Sequence, residues 1–163
     1  MKELLLRYAS YNIWANGLLL ELINNLKDEQ HQEEMKSSFS SLYATVLHML
    51  DAENIWWQRM KLQERITRPS EIFKGSMKEL SGMLLQQNRQ WHEWIAGTNE
   101  MQLQHQFKYQ NSKRESFKQP VYEMLLHVFN HNTYHRGQLV NMLRQAGLEK
   151  IPATDFIVWS RKR

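Results

Sequence analysis

The segment from about Val121 to Ala146 constrains this chain more than any other. At roughly 100° of turn per residue it reads as one long helix with Val121, Met124, Leu125, Val128, Leu139, Met142 and Leu143 on a single apolar stripe. His131 and His135 fall on the same stripe, about 40° apart, and His127 falls at its edge. The two imidazoles therefore face the side that must be buried, where each needs a polar partner. An i, i+4 histidine pair also lets two imidazoles reach one metal ion from adjacent turns. Two ligands do not make a tight site. The chain has no cysteine, so further ligands must be histidine, aspartate or glutamate. On spacing alone, core histidines hydrogen-bonded to neighbours remain the competing reading.

A chain of 163 residues is the size of a single domain with room for a substantial core, so one domain spanning 1–163 is expected. The absence of cysteine excludes disulfides, iron–sulfur clusters and thiolate zinc sites, and suits a reducing cytoplasm. The N-terminus carries no long apolar run, and no stretch approaches a membrane span, so a cytoplasmic protein without a membrane partner is expected. A net charge of +4 invites a nucleic-acid reading. The basic residues are scattered, however, apart from Arg161-Lys162-Arg163, and no helix carries the basic face that phosphate contacts need.

Only three prolines and six glycines interrupt a chain rich in helix formers. Leu4, Tyr8, Tyr11, Ala15, Leu18, Leu19, Leu22 and Leu26 predict a first helix over about Lys2–Leu26, in which Asn12 and Asn16 are unexpected mid-helix residues. Lys27 to Lys36 reads as a loop ending at Ser37 or Ser38 as a helix cap. A second helix follows over about Ser38–Leu62, its stripe being Phe39, Leu42, Tyr43, Val46, Leu50 and Trp57. His48 lies nearly opposite that stripe, so its wheel position does not select it as a ligand. After a connection, a third helix is predicted over about Ser76–Ala96, ended by Gly97-Thr98-Asn99. Leu103 to Phe117, with Gln110-Asn111-Ser112 as a turn, reads as a short hairpin or an extended crossover. Pro120 opens the last helix and Gly147 closes it. The tail from Ile151 is read as irregular, with Phe156, Ile157, Val158 and Trp159 packing back on the body. These elements predict an all-α four-helix bundle with one longer crossover before the last helix.

The string His131-Asn132-Thr133-Tyr134-His135-Arg136-Gly137-Gln138-Leu139, followed by Leu143-Arg144-Gln145-Ala146-Gly147, resembles the signature of the DinB/YfiT-like superfamily. Tyr11-Asn12-Ile13-Trp14-Ala15-Asn16 and Leu47-His48-Met49-Leu50-Asp51-Ala52-Glu53-Asn54-Ile55-Trp56-Trp57 resemble the other blocks of that family in the same order. The likeness implies a four-helix bundle, often a homodimer, with a divalent metal held by His48, His131 and His135. It is the resemblance that brings in His48. His127 matches a position where the family often carries histidine, outside the ligand set.

Three histidines leave at least one coordination position for water or substrate, the arrangement of catalytic rather than structural sites. The resemblance implies metal-activated thiol chemistry, in which a low-molecular-weight thiol attacks a small-molecule electrophile. A metal-dependent hydrolase and a non-catalytic, metal-binding stress-response bundle are the alternatives. The stretch from His131 to His135 lacks the glutamate that zinc peptidases use as general base, which counts against peptidase chemistry. Zinc or nickel is the expected ion, with iron possible. Asp51, Glu53 and Tyr134 are left without a role. The small residues opposite the stripe of the second helix, together with Gly137, would permit close packing between two subunits.

Overall fold

The computed structural model describes residues 1–111 and 113–161. Along the chain come α1 (Lys2–Asn24), α2 (Asp28–Gln32), α3 (Leu42–Met60), α4 (Pro69–Ile72), α5 (Met77–Gly97), α6 (Glu100–Gln104), β1 (Gln106–Gln110), β2 (Ser116–Pro120), α7 (Val121–Gln145) and α8 (Phe156–Ser160). The four long helices make the bundle, α1 and α3 each packing against both α5 and α7. The link before α7 holds α6 and an antiparallel hairpin whose register runs from Gln106 opposite Pro120 to Gln110 opposite Ser116.

Local chemistry explains most of these boundaries. Ser76 and Glu79 form a capping box at the start of α5, as Asn99 and Gln102 do for α6. Pro120 ends β2 and serves as the N-cap of α7, where its missing N–H costs nothing. At the other end of α7, Gly147 takes φ +91° and the Leu148 N–H closes back on the Leu143 carbonyl, a glycine-dependent helix stop. The Asn111 side chain accepts from the backbone N–H groups of Lys113 and Glu115, which turns the hairpin.

The structure corrects four details of the sequence reading. The second helix begins at Leu42, because Ser41 and not Ser37 or Ser38 accepts the capping N–H, from Ala44. Phe39 therefore precedes the helix instead of sitting on its stripe. The stretch taken for a loop contains α2, whose His31 is buried with Nε2 2.8 Å from the Ile23 carbonyl. Leu4, on the first helix's stripe by spacing, is exposed. The tail is irregular over residues 151–155 as expected but ends in the short helix α8, with Phe156 and Trp159 against Tyr11 and Ile157 exposed. Of the predicted turn, Ser112 lies outside the described residues, as do Lys162 and Arg163 of the basic tail.

The core is divided by a polar layer. One apolar cluster gathers Leu19, Leu20, Ile23, Val46, Leu80, Leu84, Leu139 and Leu143, and the other Leu5, Ala9, Trp91, Ile95, Leu125, Val128 and Phe129. Between them all four long helices contribute buried polar side chains. The Asn88 and Asn132 amides donate to Glu53 Oε1 at 2.6 and 2.7 Å. Asn16 Nδ2 donates to Asn88 Oδ1 and Asn132 Oδ1, while Asn16 Oδ1 accepts from Arg136. Arg136 also donates to Asn12, Thr133 and the Tyr11 hydroxyl, and that hydroxyl donates to the Thr154 carbonyl in the tail. A relay of amides thus connects a buried guanidinium to a buried carboxyl. Burial pushes Glu53 up to about 7, against the Asn132 and Asn88 hydrogen bonds, the Arg136 charge and the Trp91 indole.

This layer makes Glu53 a structural acceptor. In Glu53→Ala, two buried amides lose their partner, and stability measured by urea unfolding at pH 8 should fall by about 2–5 kcal/mol. Glu53→Gln keeps an acceptor and should lose less than half of that; equal losses in the two variants would contradict this account.

Candidate metal centre

His131 and His135 project from successive turns of α7, and His48 reaches them from α3. The two helices run antiparallel, since His48 meets His131 and His135 whereas Trp56 meets His127. His131 Nε2 lies 3.2 Å from His48 Nε2 and 3.0 Å from His135 Nε2, and one donor nitrogen from each of the three rings lies within 4.8 Å of the others. Ligand–zinc bonds of about 2.0–2.1 Å place neighbouring nitrogens roughly 3.3–3.4 Å apart in a tetrahedron and about 3 Å apart on an octahedral face. The two spacings from His131 fall in that range, so the donor set fits a divalent ion.

The site sits at the rim of the α3–α7 seam. His135 is buried at 3 % exposure, while His48 and His131 are half-buried. The buried positions of α3 are Leu42, Thr45, Val46, Met49, Leu50, Glu53 and Gln58, which leaves His48 flanking them on the side that α7 covers. A wheel drawn for one helix does not show which flank a neighbour covers. For that reason His48 was legible only through the family likeness.

Two further residues complete the surroundings. His135 Nδ1 lies 2.7 Å from Gln138 Oε1, the arrangement in which Nδ1–H donates and Nε2 keeps its lone pair for a metal. Gln138 in turn donates to Ser38 Oγ at 2.8 Å, tying the segment before α3 to the site. From that segment Phe39 stacks on His48, ring centroids 4.2 Å apart, and lies 5.8 Å from the His135 ring. Sequence reasoning missed both Gln138 and Phe39. The glutamine sits three residues past His135, a neighbouring position on the helix, which was a usable signal.

Burial sets the charge of the triad. His131 is held down to about 3, by desolvation first and then by the proximity of His135, His48 and His127. His48 is lowered by desolvation and by His135, against Asp51; His135 is lowered by desolvation, against its Gln138 hydrogen bond. Neutral imidazole is the form that ligates metal. His127 is exposed, its ring 5.9 Å from His131 and 5.2 Å from Trp56, and it stands outside the cluster.

The other polar candidates are engaged elsewhere or lie at the surface. Asp51 accepts the Ser70 N–H at 2.8 Å near the start of α4, and Glu53 is locked in the core relay. Tyr134 is 62 % exposed with its ring beside His135. Asn132 and Arg136, each one residue past a triad histidine, face the polar layer.

Comparison with known proteins bears on the family and the fold. A family profile described as DinB family matches residues 1–161. A Bacillus subtilis (strain 168) protein described as Protein DinB is 27 % identical over 165 residues, covering 96 % of this chain and 93 % of its own length. Three solved structures share the fold. YfiT from Bacillus subtilis, described as a probable metal-dependent hydrolase with an unusual four-helix bundle topology, superposes with a TM-score of 0.70 at 14 % identity, covering 91 % of each chain. The DinB-like protein YjoA from Bacillus subtilis gives 0.68 at 15 % identity, covering 91 % of this chain and 96 % of its own. A DinB-like protein from Bacillus cereus ATCC 10987 gives 0.65 at 19 %, covering 85 % and 89 %.

Two outcomes are expected. Replacing Gln138 by leucine removes the acceptor that fixes the His135 tautomer, and zinc affinity measured against a chromophoric chelator should drop about 10–100-fold. The second concerns pH. The triad imidazoles bind protons less readily folded than unfolded, so metal-free protein should lose stability as pH falls from 6.5 towards the His131 value of about 3. Glu53 acts in the opposite sense, its contribution being present below 4.5 and lost as pH rises to about 7. Urea unfolding of Glu53→Gln between pH 4 and 7 should therefore isolate a rise with pH, and His131→Ala in that background should flatten it.

Proposed function

We propose that this chain, which belongs to the DinB family over residues 1–161, holds a divalent metal ion on His48, His131 and His135 and activates a thiol there for transfer to a small electrophile. Zinc or nickel is the preferred ion and iron the alternative. Bound at three imidazoles, such an ion would keep a thiol as thiolate, or lower the pKa of water, in its open position.

The observation that carries the thiol reading is the absence of a poised base. Among the described residues no carboxylate hydrogen-bonds to a triad imidazole, and Asp51 and Glu53 are both committed to structural partners. Hydrolysis in zinc peptidases relies on a carboxylate that acts as base on the metal-bound water, and among the described residues no Asp or Glu joins the cluster of donor atoms at the triad. A thiol ionised by coordination needs none. Its proton would leave to solvent, the sulfur electron pair would form the new carbon–sulfur bond, and the leaving group would depart with the electrons of the bond that breaks. The chain's own residues keep the imidazoles neutral, fix the His135 tautomer through Gln138, and cover one side of the site with Phe39.

Elemental analysis of untagged protein, with His48→Ala, His131→Ala and His135→Ala beside it, tests the metal. About one ion per chain, lost in each variant while helicity persists, is the expected result. No ion after loading with zinc or nickel sinks the proposal. For the reaction, thiol-dependent loss of chloride from 1-chloro-2,4-dinitrobenzene should disappear in His135→Ala. Turnover of p-nitrophenyl acetate without thiol would favour the hydrolytic reading instead, and a metal-raised Tm with neither activity the non-catalytic one.

A further inference from the structure

A second recess lies along the same face of α3 as His48. Residues 48, 52, 55 and 59 follow one another at i, i+4, i+7 and i+11, within an arc of about 60° on the helix. At about 1.5 Å of rise per residue, Arg59 stands roughly 16 Å along the axis from His48. Ile55 and Arg59 line a cavity of about 690 Å³ between the end of α3 and the hairpin, together with Gln63, Lys108, Tyr109 and Asn111. That volume is within the range of small-molecule sites, about 300–1,000 Å³. A row of aromatic rings links it to the triad: Tyr109 to Trp56 at 4.9 Å, Trp56 to His127 at 5.2 Å, His127 to His131 at 5.9 Å.

The charge there is unbalanced. Arg59, Arg68 and Lys108 line the cavity against a single acid, Glu64, and Arg68 is already paired with Glu71 at 3.0 Å. Among the described residues no carboxylate forms an ion pair with Arg59 or Lys108, and Arg59 Nε is buried without a hydrogen-bond partner. The guanidinium stacks 4.8 Å from the Trp56 ring and 5.5 Å from Tyr109. Stacking occupies the face of that group, while its N–H donors lie in the plane and are suited to two oxygens of one anion. A clamp serving only to hold the hairpin to α3 would use the stacking and leave the in-plane donors without purpose.

We propose that this recess binds an anionic oxygen group, carboxylate or phosphate, with Arg59 as the principal binding residue and Lys108 as the second. Resting on the thiol reading above, the anion is one arm of an elongated substrate whose reacting end reaches the imidazoles. Arg59 thereby selects for anionic over uncharged thiols.

Calorimetric titration of metal-free and zinc-loaded protein with S-methylglutathione, which carries carboxylates but no free thiol, and with pyrophosphate tests the recess apart from the metal. Glutathione and uncharged N-acetylcysteamine serve as the thiol pair. Wild type should bind at least one of the two anions in both forms, about tenfold or more tightly than Arg59→Gln, with Arg59→Lys between them. The tighter anion identifies the group the recess prefers. Glutathione should outbind N-acetylcysteamine on the zinc form of wild type and lose that margin in Arg59→Gln. Should Arg59→Gln prove unfolded by circular dichroism, Lys108→Gln, altered at an exposed strand position, carries the test with a smaller weakening expected. Anion affinity unchanged in these variants, or no anion bound by folded wild type, overturns the proposal. An Arg59-dependent affinity with no added affinity for thiols on zinc upholds the recess and removes the thiol reading.

Discussion

Glu53 and Arg136 are buried in the middle of the bundle, and neither could stand there without the asparagine relay between them. A carboxyl with about 1 % exposure loses nearly all its hydration, a cost of several kcal/mol unless partners replace the water. For Glu53 those partners are Asn88 on α5 and Asn132 on α7, and Asn16 on α1 joins both of them to Arg136, so the layer closes only when the helices stand in this register. The apolar clusters above and below are tolerant of small slips; the polar layer is not. It therefore fixes how α7 is rotated against α1 and α3.

That rotation is what builds the imidazole site. On α7 the residues alternate in function: His131 then Asn132, His135 then Arg136. One i, i+4 pair turns inward to the relay and the adjacent pair turns to the α3 seam, where His48 waits. Anchoring the first pair sets the second. The same desolvation that raises Glu53 lowers the three histidines, moving both kinds of group toward their neutral forms. For the glutamate this is a cost of structure, and for the imidazoles it is the state that metal binding requires.

Periodicity alone placed the four long helices, and the family likeness identified the chain's relatives, since a long amphipathic stripe survives any tertiary context. His131 and His135 were legible as a pair because both lie on one helix. His48 was not, because its importance arises from the antiparallel seam between two helices distant in sequence. The relay was half visible: Asn12 and Asn16 stood out as polar residues in a helix interior, yet nothing local linked them to Asn88, Glu53 or Arg136. Short helices such as α2 and α8 escaped detection because a single turn carries too little pattern, and Phe39 was misassigned because four serines, Ser37, Ser38, Ser40 and Ser41, each could cap.

The central claim, that α3 and α7 are held so that three neutral imidazoles share one ion and leave a position free, is tested most directly by X-ray absorption on the zinc-loaded protein. The account predicts about three imidazole nitrogens at roughly 2.0–2.1 Å with one further light donor, which sulfur at about 2.3 Å replaces when a thiol is added. A zinc shell lacking imidazole scattering, or one closed by a fourth protein ligand that thiol does not displace, would contradict it.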